Sequence, residues 1–200
     1  MYDVLIIGGG VSGMQCALVL GSANNKPYAK GKKIGIIMHQ RSSHLQNAVF
    51  NNAIGIPAGT LGSDILINGK KHLISEYPHV AIIENEKVDS VFTSDDNYTI
   101  TTNKNTITAK TVVLALNYAK PLDIAGLEQY IESHQRANVL KDRIQLRNYN
   151  HLIKEGLYVC GTLSGHRSQF AIAAGSGAAV ATDILTLWND NIHSHVHDKA

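Results

Sequence analysis

The sequence predicts an α/β chain: a central parallel sheet flanked by helices, carrying a three-stranded antiparallel β-meander. Three observations predict it. Residues 4–7, 33–38 and 157–161 are short, continuous apolar runs, the pattern of strands buried on both faces. A helix-forming stretch separates the first two, so strand, helix and strand form a right-handed crossover unit. Residues 88–116 then change to β-branched runs separated by Asp95-Asp96-Asn97 and Asn103-Lys104-Asn105, which read as turns between antiparallel strands.

The elements follow in order. Residues 2–7 read as the first strand and 12–20 as its helix; a Gly/Asn/Lys-rich loop leads to the second strand. Residues 41–62 are polar, rich in Asn and Gly and without helical period, and their length marks a functional loop. A helix capped by Ser63 is expected over 63–73, and a strand over 79–83. The meander's last strand runs on into the core over 112–116. Residues 125–140 are polar and helix-compatible, and 168–188 form a long Ala- and Gly-rich helix. Residues 1–190 are expected to be one domain and 191–200 a polar surface tail.

Composition excludes several classes. A chain of 200 residues, 44% apolar and 17% charged, buries a full core. A net charge of +2 gives no reason to expect nucleic acid as a partner. No apolar stretch is expected to span a membrane, and no charged leader precedes the first strand, so a cytoplasmic protein without a signal peptide is expected. The two cysteines, Cys16 and Cys160, form no C-x-x-C and read as buried thiols. His193, His195 and His197 alternate in the tail without a closed ligand set, so no metal is expected.

The chemistry starts at the first turn. Gly8, Gly10 and Gly13 have the G-x-G-x-x-G spacing between strand and helix, with Val11 and Ser12 as further cofactor-binding candidates within the motif. Gly8 permits the tight turn, Gly10 lets backbone approach a pyrophosphate, and Gly13 lets the helix pack against the strand. The helix N-terminus adds free N–H groups and partial positive charge. A dinucleotide is the implied ligand.

A second anchor narrows the ligand. Leu157-Tyr158-Val159-Cys160-Gly161-Thr162 is followed by Ser168-Gln169-Phe170 and the core Ala173-Ala174-Gly175-Ser176-Gly177. Here the chain resembles the flavin domain of the thioredoxin reductases, members of the two-dinucleotide-binding flavoproteins of the pyridine nucleotide-disulfide oxidoreductase type. The resemblance is ordered along nearly the whole chain. Asn52 to Pro57 and the helix after Gly62 look like the family's Asn- and Pro-containing loop and its following helix. Ala115-Leu116-Asn117 stands where the family has Ala-Thr-Gly, and residues 143–157 look like the return into the flavin domain.

The resemblance implies a Rossmann-like FAD/NAD(P)-binding fold, FAD as cofactor, oxidoreductase chemistry and a homodimer. It implies that the helix beginning Ser168, Gln169 and Phe170 points its N-terminus at the pyrimidine side of the flavin, where reduction places negative charge. It also implies that the segment with Leu45, Asn47 and Asn52 passes beside the flavin. Lys87 and Val88 would give backbone contact to adenine, and Ala115, Leu116 and Asn117 would close over the cofactor. The second strand ends in Met38-His39-Gln40-Arg41; Gln40 is a candidate for the ribose and Arg41 for a phosphate, with His39 a cofactor-binding candidate beside them.

Three departures bear on function. The family inserts an NADPH domain where this chain has only residues 117–142. The C-x-x-C of that domain is absent with it. The family's Gly-Asp pair is Gly161-Thr162, and a hydroxyl accepts hydrogen bonds more weakly than a carboxylate. The expected protein is therefore an FAD-binding oxidoreductase that takes electrons from a separate donor, with no side chain marked as catalytic. Two readings stand beside it: a non-catalytic flavin-binding or partner-interaction module, and a nicotinamide-binding Rossmann protein.

Overall fold

A computed structural model of the chain describes residues 1–39, 45–194 and 196. Gln40 and Arg41 lie outside the described residues, as do His195 and His197 of the tail. The strands are β1 (Tyr2–Ile7), β2 (Ile34–Met38), β3 (Val49–Phe50), β4 (Thr60–Leu61), β5 (Ala81–Glu84), β6 (Val88–Ser94), β7 (Asn97–Thr102), β8 (Thr106–Leu114), β9 (Ile131–Ser133), β10 (Ile144–Leu146), β11 (Leu152–Lys154) and β12 (Leu157–Val159). The helices are α1 (Val11–Ser22), α2 (Gly62–Glu76) and α3 (Phe170–Trp188).

The main sheet runs β11-β12-β8-β1-β2-β5. The pairs β12–β8, β8–β1, β1–β2 and β2–β5 are parallel, and the meander β6-β7-β8 is antiparallel. Strand β8 serves both: Thr106 to Ala109 pair with β7, and Ala109 to Leu114 pair with β1. The fold is thus a mixed α/β Rossmann-like one with a mostly parallel core, as the sequence predicts.

Side-chain alternation along β1 divides the core. Val4 and Ile6 face a layer built from α1, α3 and Leu73 of α2, whereas Leu5 and Ile7 face the meander and the β10–β12 region. Val4, Leu5 and Ile6 are fully buried, so the strand's apolar side chains leave water on both faces of the sheet. Cys16 and Cys160, distant in sequence, lie in the same buried layer.

Several expectations are corrected. Residues 125–140 are not a helix: Gly126 takes φ +91, a short 3₁₀ turn follows, and β9 pairs antiparallel with β10. Weak periodicity there gave way to a strand partner distant in sequence. Helix α2 starts at Gly62 with Leu61 at its N-cap, and Ser63 falls inside the first turn. A Cβ at Gly62 would sit 1.8 Å from the Leu45 carbonyl oxygen, so packing rather than capping chemistry sets this start. Helix α3 begins at Phe170, two residues after Ser168. By length and composition α3 is also apolar enough to cross a membrane, contrary to expectation; in the fold its Val180, Ala181, Ile184 and Leu185 are buried in the core. The tail is not a free surface segment throughout: the Ser194 hydroxyl is buried and donates to the Leu185 carbonyl, and Val196 packs on the core.

Candidate functional site

The site begins where β1 ends. The Gly8 N–H donates to the Ile37 carbonyl and the Ala115 N–H to the Ile7 carbonyl, both at 2.9 Å, so the turn is held between β2 and β8. Gly8 takes φ +118, and a Cβ there would lie 2.3 Å from the Ala115 carbonyl oxygen; no other residue fits. Helix α1 has Gly10 at its N-cap, with no side-chain cap and no acidic residue in its first turn. Its first internal bond is Met14 N–H to Gly10 carbonyl at 2.8 Å. The N–H groups of Val11, Ser12 and Gly13 therefore lack intrahelical acceptors and present a partial positive charge. A Cβ at Gly10 would meet nothing within 4 Å, so this side of the cradle is open to a ligand.

Behind the cradle the packing is tight. A Cβ at Gly13 would lie 1.9 Å from the Gly8 carbonyl oxygen, and one at Gly177 would lie 2.0 Å from the Ser12 carbonyl oxygen. The Gly161 N–H donates to the buried Ser176 hydroxyl at 2.8 Å. The start of α1, the end of β12 and the middle of α3 thus meet around Ser12.

A cavity of about 630 Å³ runs along this edge. Gly161, Ala115, Gly8, Met38 and Glu84 line it, and these stand at the C-terminal ends of β12, β8, β1, β2 and β5. Four inter-strand spacings of about 4.8 Å make a span of about 19 Å, which suits an extended dinucleotide better than a mononucleotide. The crevice outside the carboxyl ends of parallel strands is the general ligand site of such sheets. An uncapped helix N-terminus at its middle and an open Gly10 fit a pyrophosphate with a nucleoside on either side.

Among the residues named from sequence, Gly8, Gly10, Val11, Ser12, His39, Leu45, Lys87, Val88, Ala115, Leu116, Asn117, Gly161, Thr162 and Ser168 line the cavity. Gly13 lies behind it as a packing residue. Asn47 and Asn52 are exposed and off the lining. Gln169 is the N-cap of α3, its side-chain oxygen accepting from the Ile172 N–H at 3.0 Å. Phe170 packs against Phe50, with ring centroids 5.1 Å apart, and so ties the β3–β4 pair to the start of α3. The N–H and C=O of Lys87 are both bonded to Asn103 at 2.9 Å. The Asn117 side chain accepts from the Ala119 N–H at 2.9 Å and shapes the wall that follows.

That wall is the main feature missed from sequence. Tyr118, Ala119, Pro121, Leu122, Asp123 and Ile124 line the cavity on one side, and Leu66, Ile67 and Lys70 of α2 with Glu84, Asn85 and Glu86 line it on the other. The glutamates were findable, since they follow a predicted strand at the end where ligands bind. The stretch 118–124 carries no period or motif.

Next to Thr162, at the β12 end of the crevice, a proton arrangement is defined. His134 is buried; its Nδ1 accepts from the Arg136 N–H at 3.1 Å, so Nε2 carries the proton and donates to the Thr162 carbonyl at 3.1 Å. His166 lies 5.1 Å from the His151 ring, and burial, reinforced by electrostatic interaction with His151, Arg136 and His134, holds it below its ordinary 6.5. Neither His166 nor Arg167 lines the cavity. Burial pushes the Cys160 thiol up to about 12, against a hydrogen bond with Ser12, and raises Cys16 well above the usual range. Both are inert thiols. Among the described residues no group of three or more His, Cys, Asp or Glu is placed to hold a metal ion.

Comparison with known proteins agrees with this geometry. The pyridine nucleotide-disulphide oxidoreductase family matches residues 2–163. No curated protein matches the chain. Among solved structures, a thioredoxin reductase from Gloeobacter violaceus superposes with a TM-score of 0.71 at 11% identity, covering 100% of this chain and 98% of that one. A ferredoxin-flavin thioredoxin reductase from Clostridium acetobutylicum superposes with a TM-score of 0.69 at 16% identity, covering 95% and 98%. An oxidoreductase from Agrobacterium tumefaciens gives 0.68 at 14% identity, covering 92% and 97%. At these identities the likeness is one of fold.

Proposed function

Because the chain belongs to the pyridine nucleotide-disulphide oxidoreductase family, we propose that it is a single-domain FAD-binding oxidoreductase that receives electrons from a separate donor. The observation that carries this is the cavity itself, spanning five strand ends with the bare N-terminus of α1 at its centre. FAD supplies two-electron chemistry when bound. The α1 N–H groups and Gly10 would hold its pyrophosphate, Thr162 and Asn117 would face the ribityl and ring portion, and residues 118–124 would exclude water from one side. His134 fixes the Thr162 backbone through its Nε2–H.

The connection between β8 and β10 supports the reading of a separate donor. Residues 115–143 carry a 3₁₀ turn, β9 and a second 3₁₀ turn, with no strand–helix–strand unit for a nicotinamide. One solved relative in fold is a ferredoxin-flavin thioredoxin reductase, and a one-electron carrier protein of that kind is the donor we propose. A cytoplasmic homodimer completes the reading.

The test is direct. The purified protein should show a flavin spectrum or acquire one with added FAD. Under anaerobic conditions a reduced ferredoxin should bleach it much faster than NADPH. A colourless protein that takes up no FAD would sink the reading.

A second reading is favoured by one observation. Both cysteines are buried with raised thiol pKa values, so neither can exchange with a substrate disulfide. A flavin-binding module that hands electrons to no disulfide fits this as well. A flavin that every protein donor leaves oxidised would select it.

A further inference from the structure

The adenosine half of the crevice lacks its usual acid. In folds of this kind a carboxylate at the end of the second strand takes the ribose hydroxyls. Here that strand end reads Met38-His39-Gln40-Arg41, with no carboxylate.

The neighbouring strand supplies one. β5 pairs parallel with β2, and the register sets Glu84 opposite Met38. Adjacent strands lie about 4.8 Å apart, so a glutamate at this position reaches the same mouth. Met38, His39 and Glu84 all line the cavity. The backbone there is pinned: the Asn85 N–H donates to the Met38 carbonyl at 3.1 Å, with Asn85 at φ +58 ending the strand.

Glu86 also lines the cavity but is already used. It is buried, one oxygen accepting from the Thr102 hydroxyl at 2.7 Å and the other from the Asn105 amide at 2.8 Å. Glu84 differs. Its Oε1 is held by the Lys70 ammonium of α2 at 2.6 Å, and its Oε2 has no partner among the described residues. The Glu84 side chain is half-exposed, and pairs of this kind contribute little to stability. Holding a carboxylate in place at a ligand mouth is a better account of the Lys70 contact.

We infer that Glu84, oriented by Lys70, is the acceptor for the adenosine ribose hydroxyls, moved from β2 to β5. The inference rests on the FAD reading. Two free lone-pair directions on Oε2 suit a vicinal diol, and the Lys70 contact keeps that oxygen turned outward.

The experiment uses the full chain freed of nucleotide. FAD is titrated by quenching of flavin fluorescence, and ADP and 2′,3′-dideoxy-ADP are measured as competitors. The wild type should prefer ADP over the dideoxy analogue by about tenfold or more, the size of a charged hydrogen bond. Glu84→Ala should bind the two analogues equally and bind FAD about tenfold more weakly, with FMN binding unmoved. Glu84→Gln guards against misfolding and should lose most of the preference. Lys70→Ala should keep a reduced preference. A wild-type preference for ADP retained in both Glu84 variants overturns the inference and leaves the FAD reading intact. No FAD binding by the wild type overturns the FAD reading, and this inference with it.

Discussion

Two helix N-termini border the same crevice and are built differently. At α1 the cap is a glycine with no side chain, no charge sits in the first turn, and among the described residues no side chain caps the leading N–H groups. At α3 the cap is Gln169, whose own oxygen takes the Ile172 N–H. Around α3 stand His134, Arg136, His151, His166 and Arg167, with Arg167 reaching the Arg136 carbonyl at 3.4 Å. At the start of α3 one leading N–H is thus taken by a side chain. At the start of α1 none is, and that asymmetry makes the middle of the crevice the better place for an anion.

The largest effects come from two close backbone contacts around the start of α1. Gly13→Ala and Gly177→Ala each force a Cβ to about 2 Å from a backbone oxygen, which no side-chain rotation relieves. Each should destabilise the fold by about 3 kcal/mol, read as a shift in the urea midpoint. If Gly177→Ala cost under about 1 kcal/mol, α3 would not be locked to Ser12 as described.

Gly10→Asp separates ligand from fold. Gly10 has φ −74 and ψ −174, extended backbone open to any residue, and its Cβ would meet nothing. An aspartate there caps α1, so the nucleotide-free protein should gain a few tenths of a kcal/mol. Its charge lies where the pyrophosphate would, and like charges at that distance cost several kcal/mol, so FAD affinity should fall at least about 100-fold. Equal thermal midpoints with and without the substitution, paired with unchanged FAD titration, would remove α1 from the site.

The same contrast explains what the sequence made legible. Gly8, Gly10 and Gly13 act through backbone geometry, which spacing encodes directly, and all three stand where the motif puts them. The parallel core and the meander were legible because burial on two faces and β-branched alternation leave separate patterns. The wall at 118–124 was not, because its shape depends on the Asn117 side-chain turn and on packing beneath it rather than on periodicity. The strand β9 was hidden for a related reason: its partner β10 lies across a loop, and no local propensity reports a partner. The start of α3 was misplaced by two residues because glutamine is a less common cap than serine, and only the Ile172 contact reveals it.

Gln169→Ala sharpens the comparison at smaller scale. It frees the Ile172 N–H and should cost about 1 kcal/mol of stability in the nucleotide-free protein. FAD affinity should change by less than about threefold, since a bound ligand can take up the released donor. A loss of affinity as large as that of Gly10→Asp would mean that Gln169 serves the ligand directly.

The smallest effect is one of pH, and it lies on the α3 side alone. Burial, and then electrostatic interaction with His151, Arg136 and His134, lower the His166 pKa from 6.5. As pH falls below 6.5 the unfolded chain takes up this proton first, while the folded chain resists it. The resulting stability is whole above pH 6.5 and is lost as pH falls through the lowered value. Asp183 shifts the other way: burial raises it above 3.8, and the nearby His151 partly offsets this. Its stability is present below pH 3.8 and is lost as pH rises through the raised value. The two slopes have opposite signs, and the His166 slope begins at pH 6.5. His166→Gln should therefore flatten the decline in urea midpoint just below pH 6.5 and leave the more acidic limb unchanged. An unaltered decline would assign it to another group. The α1 end, with no titratable side chain in its first turn, should contribute no slope in that range.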